Sequence, residues 1–272
     1  MEFHCVKLEE VCRQKDAEFL GILNDIKYGR NLQNVIAYLE SNQSSDLMEE
    51  APYLVGTNAK ADKINQAHMR ALDEKTEKKF WAIIEGDVTY EDIKNISFAK
   101  QSLVVNVGAK VMLTANDANG EYVNGTMGTI IDISKERGDA TCIQVLTDKG
   151  KKVDVYRYER EIERQDIEER KEKGENGETV TVKKIVRKIV GSFKQFPIKI
   201  AWAMSIHKSQ GQTFSQVNID PQCWDSGQFY VAVSRAESVV GIHFMDLIRK
   251  QYIRTLSDEV IKILKESLYS II

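Results

Sequence analysis

The feature that most restricts the fold is a double change of rhythm along the chain. From residue 103 to about 196, short strand-like segments follow one another: LVVNVGAKVMLTAN, GTIIDIS, ATCIQVLTD and KKVDVYRYE. Glycine or polar turns separate them, among them Asn124-Gly125 and Asp148-Lys-Gly150, and that spacing predicts a small β-barrel. Residues 157–194 extend it as a long β-hairpin turning at Asn176-Gly177, with a partly helical outgoing arm as the alternative. The returning arm carries Lys183, Lys184, Arg187 and Lys188 with no acid among them, which suits either a solvated face or nucleic acid.

On both sides of this stretch, strands alternate with helices. Phe19, Leu20, Ile22, Leu23 and Ile26 recur at helical spacing, with Asp16 placed to cap the helix and Gly29 to end it. A second helix is expected over 32–40, then a buried strand at 52–56. Thr57-Asn58 caps a helix running to Leu72, with Ile64, Ala67, His68 and Ala71 on one side. FWAII at 80–84 reads as a further strand. After Pro197, strands are expected over 198–204, 216–220 and 239–245, and helices over 226–236 and 246–268. Such alternation implies a mostly parallel sheet with helices on both faces. The simplest organisation is one α/β domain built from 1–102 and 197–272, with the barrel and hairpin of 103–196 inserted between them.

Composition narrows the function classes. A net charge of −3, from 38 basic and 41 acidic residues, argues against a highly basic coat protein and predicts weak, salt-sensitive nucleic-acid affinity. Cys5, Cys12, Cys142 and Cys223 fit neither a zinc nor a disulfide spacing, so free thiols in a reducing, intracellular compartment are expected. No segment has the length and apolarity of a membrane span, and no signal peptide opens the chain. The opening residues read as the middle of a longer protein.

Two segments concentrate chemistry. In AWAMSIHKSQGQT (201–213) an apolar strand runs into His207, Lys208, Ser209, Gln210, Gly211, Gln212 and Thr213. Ligands of open α/β sheets bind at strand ends, and this mixture suits phosphate oxygens, although an ordinary strand-to-helix turn has the same look. In GQFYVAVSRAES (227–238) a nearly all-apolar helix ends on Arg235. A charge on a buried helix needs an anion, either an acidic side chain or a phosphate. LEEVCRQKD (8–16) places Arg13 just before a helix in the same way.

These strings resemble the PIF-like and RecD-like superfamily-1 DNA helicases. AWAMSIHKSQGQT is similar to motif V and GQFYVAVSRAES to motif VI. LEEVCRQKD resembles the opening of the second RecA-like domain, and Thr57-Asn58 with Asn65 resembles the TN…N signature. VNVGAKVMLTAND followed by YVNGTMGTI resembles the approach to the inserted SH3-like barrel. The order is the family's, and HKSQGQT with QFYVAVSR suits the PIF-like branch better.

The resemblance implies an α/β fold: a RecA-like parallel sheet flanked by helices, with an inserted small SH3-like β-barrel carrying a long β-hairpin. It implies arginine fingers at Arg13 and Arg235, with Gly211 and Gln212 on the nucleotide side. Thr57, Asn58, His207 and Ser209 would face single-stranded DNA, and Lys208 could serve either ligand. ATP and Mg2+ belong to the full-length enzyme, together with an N-terminal RecA-like domain as partner; neither cofactor is expected on this chain alone. The implied place of work is the cytoplasm or nucleoid.

A phosphate-binding G-x-x-x-x-G-K-[ST] loop does not occur in the sequence: no glycines precede Lys208-Ser209, and Gly125-Thr-Met-Gly128 has no lysine. No strand carries a Walker B acidic pair. The chain is therefore expected to lack ATPase activity by itself. A helicase-derived binding module with no motor role is the competing reading, and the residues do not by themselves distinguish DNA from RNA.

Overall fold

The computed structural model describes residues 13–94, 96, 100–133, 136–137, 140–173, 179–255, 259 and 262. Along the chain run α1 (Ala17–Tyr28), α2 (Leu32–Asn42), β1 (Tyr53–Val55), α3 (Asn58–Arg70), β2 (Lys78–Trp81), β3 (Ile83–Gly86), α4 (Tyr90–Ile93), β4 (Ser102–Val105), β5 (Lys110–Leu113) and β6 (Met127–Asp132). Then come β7 (Glu136–Arg137), β8 (Ala140–Thr141), β9 (Ile143–Thr147), β10 (Lys152–Val155), β11 (Tyr158–Lys173), β12 (Thr179–Gln195), β13 (Ile198–Ile200), β14 (Ala203–Ser205), β15 (Val217–Ile219), α5 (Gln228–Val233) and β16 (Ile242–Phe244). They form two compact units: residues up to His68 with those from Ala201 onward, and Met69–Ile200.

The first unit is an α/β layer structure. Its sheet is parallel throughout, in the order β14-β1-β15-β16. The three residues of β1 are all buried, as strands covered on both faces require. Helix α1 buries Phe19, Ile22, Leu23 and Ile26, an i, i+3, i+4, i+7 stripe. Asp16 caps it by accepting from the Glu18 and Phe19 amides, and Gly29 closes it in the left-handed conformation. Helix α3 turns Ala61 and Asn65 inward with Ile64 and His68 partly covered; Ala67 and Ala71, expected on that face, are exposed.

The second unit is antiparallel. Its largest sheet has the order β10-β9-β6-β5-β13, with alternate residues of β5, β6 and β9 buried. The hairpin arms β11 and β12 pair in register from Tyr158↔Gln195 to Lys173↔Thr179, so the outgoing arm is strand and not helix. The Asn176-Gly177 turn lies outside the described residues. A bulge at Val190 bends β12 where β3 joins as a third strand. Gly191 is required there, because a Cβ would stand 2.0 Å from the Glu85 carbonyl oxygen. Beneath this root pack Ile93, Ile162 and Phe193.

Three expectations are corrected. Residues 198–204 are not one strand: β13 pairs with β5, β14 pairs with β1, and the chain changes sheets at Ala201-Trp202. Residues 80–84 are likewise split, β2 pairing with β4 and β3 with β12, both antiparallel. Trp81, Ile83 and Ile84 are exposed, so apolar character there marks neither a core strand nor the α/β layer. In place of the start of a long helix after 246, a single 3-10 turn at Lys250–Tyr252 follows; most of 256–272 lies outside the described residues.

Candidate functional site

Two groups of predicted residues come together in the first unit, joined by the segment that leaves β14. The first group is built by strapping. Phe214 donates its amide to the Arg235 carbonyl at 2.9 Å, and Glu237 donates back to the Phe214 carbonyl at 3.1 Å, which lays Gln212–Phe214 beside the end of α5. Gln14 is buried and donates to the Ser234 and Ala236 carbonyls at 3.0 and 2.8 Å. That amide fixes the chain just before α1 against the same helix end.

Arg13 and Arg235 are thereby brought to one place. Arg13 donates from Nε to Thr213 Oγ1 at 2.8 Å and from a terminal nitrogen to the Ser234 carbonyl at 3.0 Å. Arg235 donates to the Val231 carbonyl at 3.0 Å and to Ser234 Oγ at 2.9 Å. Among the described residues neither makes an ion pair. Burial, and then the neighbouring charge of Arg13, hold the Arg235 guanidinium below its usual pKa. Two partly buried cations with spare donors, and no carboxylate partner among the described residues, are an arrangement that suits an anion. Gly211 lies exposed at its edge with φ +84, a conformation that strains any other residue, and no atom stands within 4 Å of where its Cβ would be.

The second group lies at the carboxyl ends of adjacent parallel strands. β1 pairs with β14 so that Val55 faces Ser205, and both chains then turn outward. Thr57 and Asn58 open α3, both exposed, with Thr57 Oγ1 accepting from the Lys60 amide at 3.2 Å. His207 and Lys208 are exposed on the 3-10 turn after β14, and His207 Nε2 lies 3.8 Å from an Asp225 carboxylate oxygen. Ser209 differs: it is fully buried and its hydroxyl donates to the Ile206 carbonyl at 2.7 Å, so it braces the turn from inside.

Asn65 also has an internal task. Its amide nitrogen donates to the Ala203 carbonyl and its oxygen accepts from the Ala203 amide, each at 2.8 Å. Among the described residues β14 is an edge strand, and this carboxamide takes the outward hydrogen bonds of Ala203 as a further strand would. His68 stacks on Trp202 at 5.2 Å between ring centres. Sequence reasoning missed Gln14 and Gln228; buried amides carry no periodic signal.

The basic arm of the hairpin is largely paired. Lys183 meets Glu169 at 3.5 Å, Arg187 meets Glu163 at 3.8 Å, and Lys188 meets Asp166 and Glu168 at 2.8 and 3.5 Å. Cys142 and Cys223 are both buried, and burial pushes the Cys223 thiol up to about 12.

No family model matches the chain. An ATP-dependent DNA helicase Pif1 of Bdellovibrio bacteriovorus is 31% identical over 246 residues, covering 89% of this chain and 50% of that protein. Bacteroides sp Pif1 in complex with ADP-AlF4 superposes with a TM-score of 0.75 at 27% identity, over 98% of this chain and 57% of that one. Bacteroides Pif1 bound to ssDNA gives 0.68 at 27% identity with the same coverage. In sequence and in fold the chain is similar to Pif1 helicases. It spans about half the length of the Bdellovibrio and Campylobacter relatives it matches.

Proposed function

We propose that this chain is the second motor half of an ATP-dependent DNA helicase. The first unit then belongs to the second RecA-like domain and the inserted SH3-like barrel with its hairpin falls in the second unit, which begins at Met69, earlier than the boundary at 103 expected from the sequence. Arg13 and Arg235 act as arginine fingers toward a nucleotide whose phosphates and Mg2+ are held by an N-terminal RecA-like domain. The observation that carries this reading is the pair of guanidiniums gathered at one helix end with, among the described residues, only carbonyls and hydroxyls as partners.

The donor set fits a polyphosphate. ATP, when bound, supplies the phosphoryl group that is transferred. Arg13 and Arg235 would offer charge-assisted donors to its outer oxygens, a contribution of about 10³–10⁵ in rate for such fingers. Gln212 and Gly211 border the same place. Thr57, Asn58, His207 and Lys208 make half of a track for single-stranded DNA, and Ser209 supports it from beneath. That reading assigns the protein to an intracellular, DNA-bearing compartment; no described helix is long and apolar enough to cross a membrane.

Titration of the purified chain into labelled single-stranded DNA at low salt, with an ATPase assay alongside, tests the proposal. Weak, salt-sensitive binding without turnover is expected. ATPase activity should appear only when a Walker-A-bearing first domain is supplied, and Arg235→Ala should abolish it. Turnover by the chain alone would contradict the half-motor reading.

A further inference from the structure

The loop between β15 and α5 presents an indole that none of the roles above uses. Trp224 is 55% exposed, and its indole N–H has no acceptor among the described residues. A large aromatic ring in water is an unfavourable arrangement that folding alone does not call for.

The loop holding it is fixed. The Gln228 side chain is buried; its oxygen accepts from the Trp224 amide at 3.1 Å and its nitrogen donates to the Gly56 carbonyl at 3.1 Å. One carboxamide thus staples the loop to the end of β1, immediately before Thr57. The indole lies over Gly56: its Cδ1 and Nε1 stand 3.4 and 3.5 Å from where a Cβ on that glycine would be. Asp225, the next residue, approaches His207. A rigidly mounted aromatic surface therefore stands beside exposed hydroxyl, amide and cationic side chains at one end of the sheet.

A polar and cationic strip that follows a phosphate backbone, with an aromatic ring set against it, is the arrangement that binds single strands without reading their sequence. Every base has a π-face, but only an unpaired base can lay it on a ring. We propose that Trp224 is a base-stacking platform: an unpaired nucleobase lies on the indole while Thr57, Asn58 and Lys208 hold the adjoining phosphates. This rests on the single-stranded-DNA reading of the face and adds to it a residue that holds a base, where the contacts named above hold only phosphates.

The test compares two labelled oligonucleotides at low salt by fluorescence anisotropy with the full chain. One is an oligothymidylate of about 16 nucleotides, and the other has the same backbone with abasic sites in place of bases. Trp224→Ala should weaken binding of the first by about 5- to 100-fold, the loss of one base stack, and leave the second unchanged. Trp224→Phe should restore most of the affinity. Lys208→Ala should weaken both oligonucleotides alike. If Trp224→Ala binds oligothymidylate as the wild type does, stacking is overturned while the phosphate track stands. An equal loss on both oligonucleotides overturns it too, because the loop would then be positioning phosphate contacts. If the wild type binds neither, the track fails and the platform with it.

Discussion

At the scale of single residues, the two arginines and Asn65 make opposite predictions about stability. Arg235 has no carboxylate partner among the described residues, it is crowded by Arg13, and its hydrogen bonds go to groups at the end of α5. Arg235→Gln should shift the free energy of urea unfolding by no more than about 1 kcal/mol. A loss of about 3 kcal/mol or more would reveal a buried charge pair and remove the argument for a finger. Asn65→Ala should instead destabilise by about 1–3 kcal/mol, because the Ala203 amide and carbonyl would be left buried without partners. An unchanged urea midpoint would mean that water replaces the side chain. Arg13, Gly211, Gln212 and Arg235 could be picked out from charged or flexible residues beside apolar segments. Asn65 could be singled out only by resemblance, and its service to an edge strand is tertiary. Trp224 and Gln228 gave no local signal, since an exposed tryptophan and a buried glutamine differ from ordinary ones only in where the fold puts them.

At the scale of elements, the hairpin root is held by charge as well as packing. Arg164 on β11 meets Asp92 of α4 at 2.7 Å and Asp87 at 3.0 Å. The Arg164 hydrogen bonds, and then those of Thr89, hold the Asp92 carboxyl well below the usual carboxylate range. Lys188 does the same for Asp166 further along the hairpin. A carboxylate depressed in the folded state stabilises fully above its unfolded pKa of about 4, and that contribution drains away as pH falls below it. Wild type should therefore exceed Arg164→Gln in urea midpoint at pH 7, with the gap closing progressively below about pH 4. A gap that persists unchanged into acid would assign the anchoring to the aliphatic part of the arginine. The elements that read well from sequence were those with both a stripe and a cap: α1 has Asp16, Gly29 and four buried residues at helical spacing. FWAII read poorly because its strands are short, exposed and shared between two sheets, so hydrophobicity there carries no period.

At the scale of the whole molecule, the second unit is continuous in sequence and interrupts the first, and the structure indicates what the first needs at the junction. The chain leaves at His68 and returns at Ala201. Beside those points His68 stacks on Trp202, and Asn65 is bonded to Ala203, so both ends of the interruption are fixed by contacts belonging to the first unit. The switch from β13 to β14 across Ala201-Trp202 is the reason the sequence could be read as a single strand there: alternation continues through a change of sheet. Among the described residues, the outward groups of Ala203 at this edge are met by Asn65, a residue of the first unit itself. Replacing 69–200 by a flexible Gly-Ser linker of about six residues should give a protein that retains the far-ultraviolet circular dichroism of an α/β fold and unfolds cooperatively in urea. Adding Asn65→Ala to that shortened chain should lower its midpoint as it does in the parent. Loss of cooperative unfolding in the shortened chain, with the parent unaffected by the same buffer, would show that the first unit depends on the second for its stability and that the edge contacts alone do not complete it.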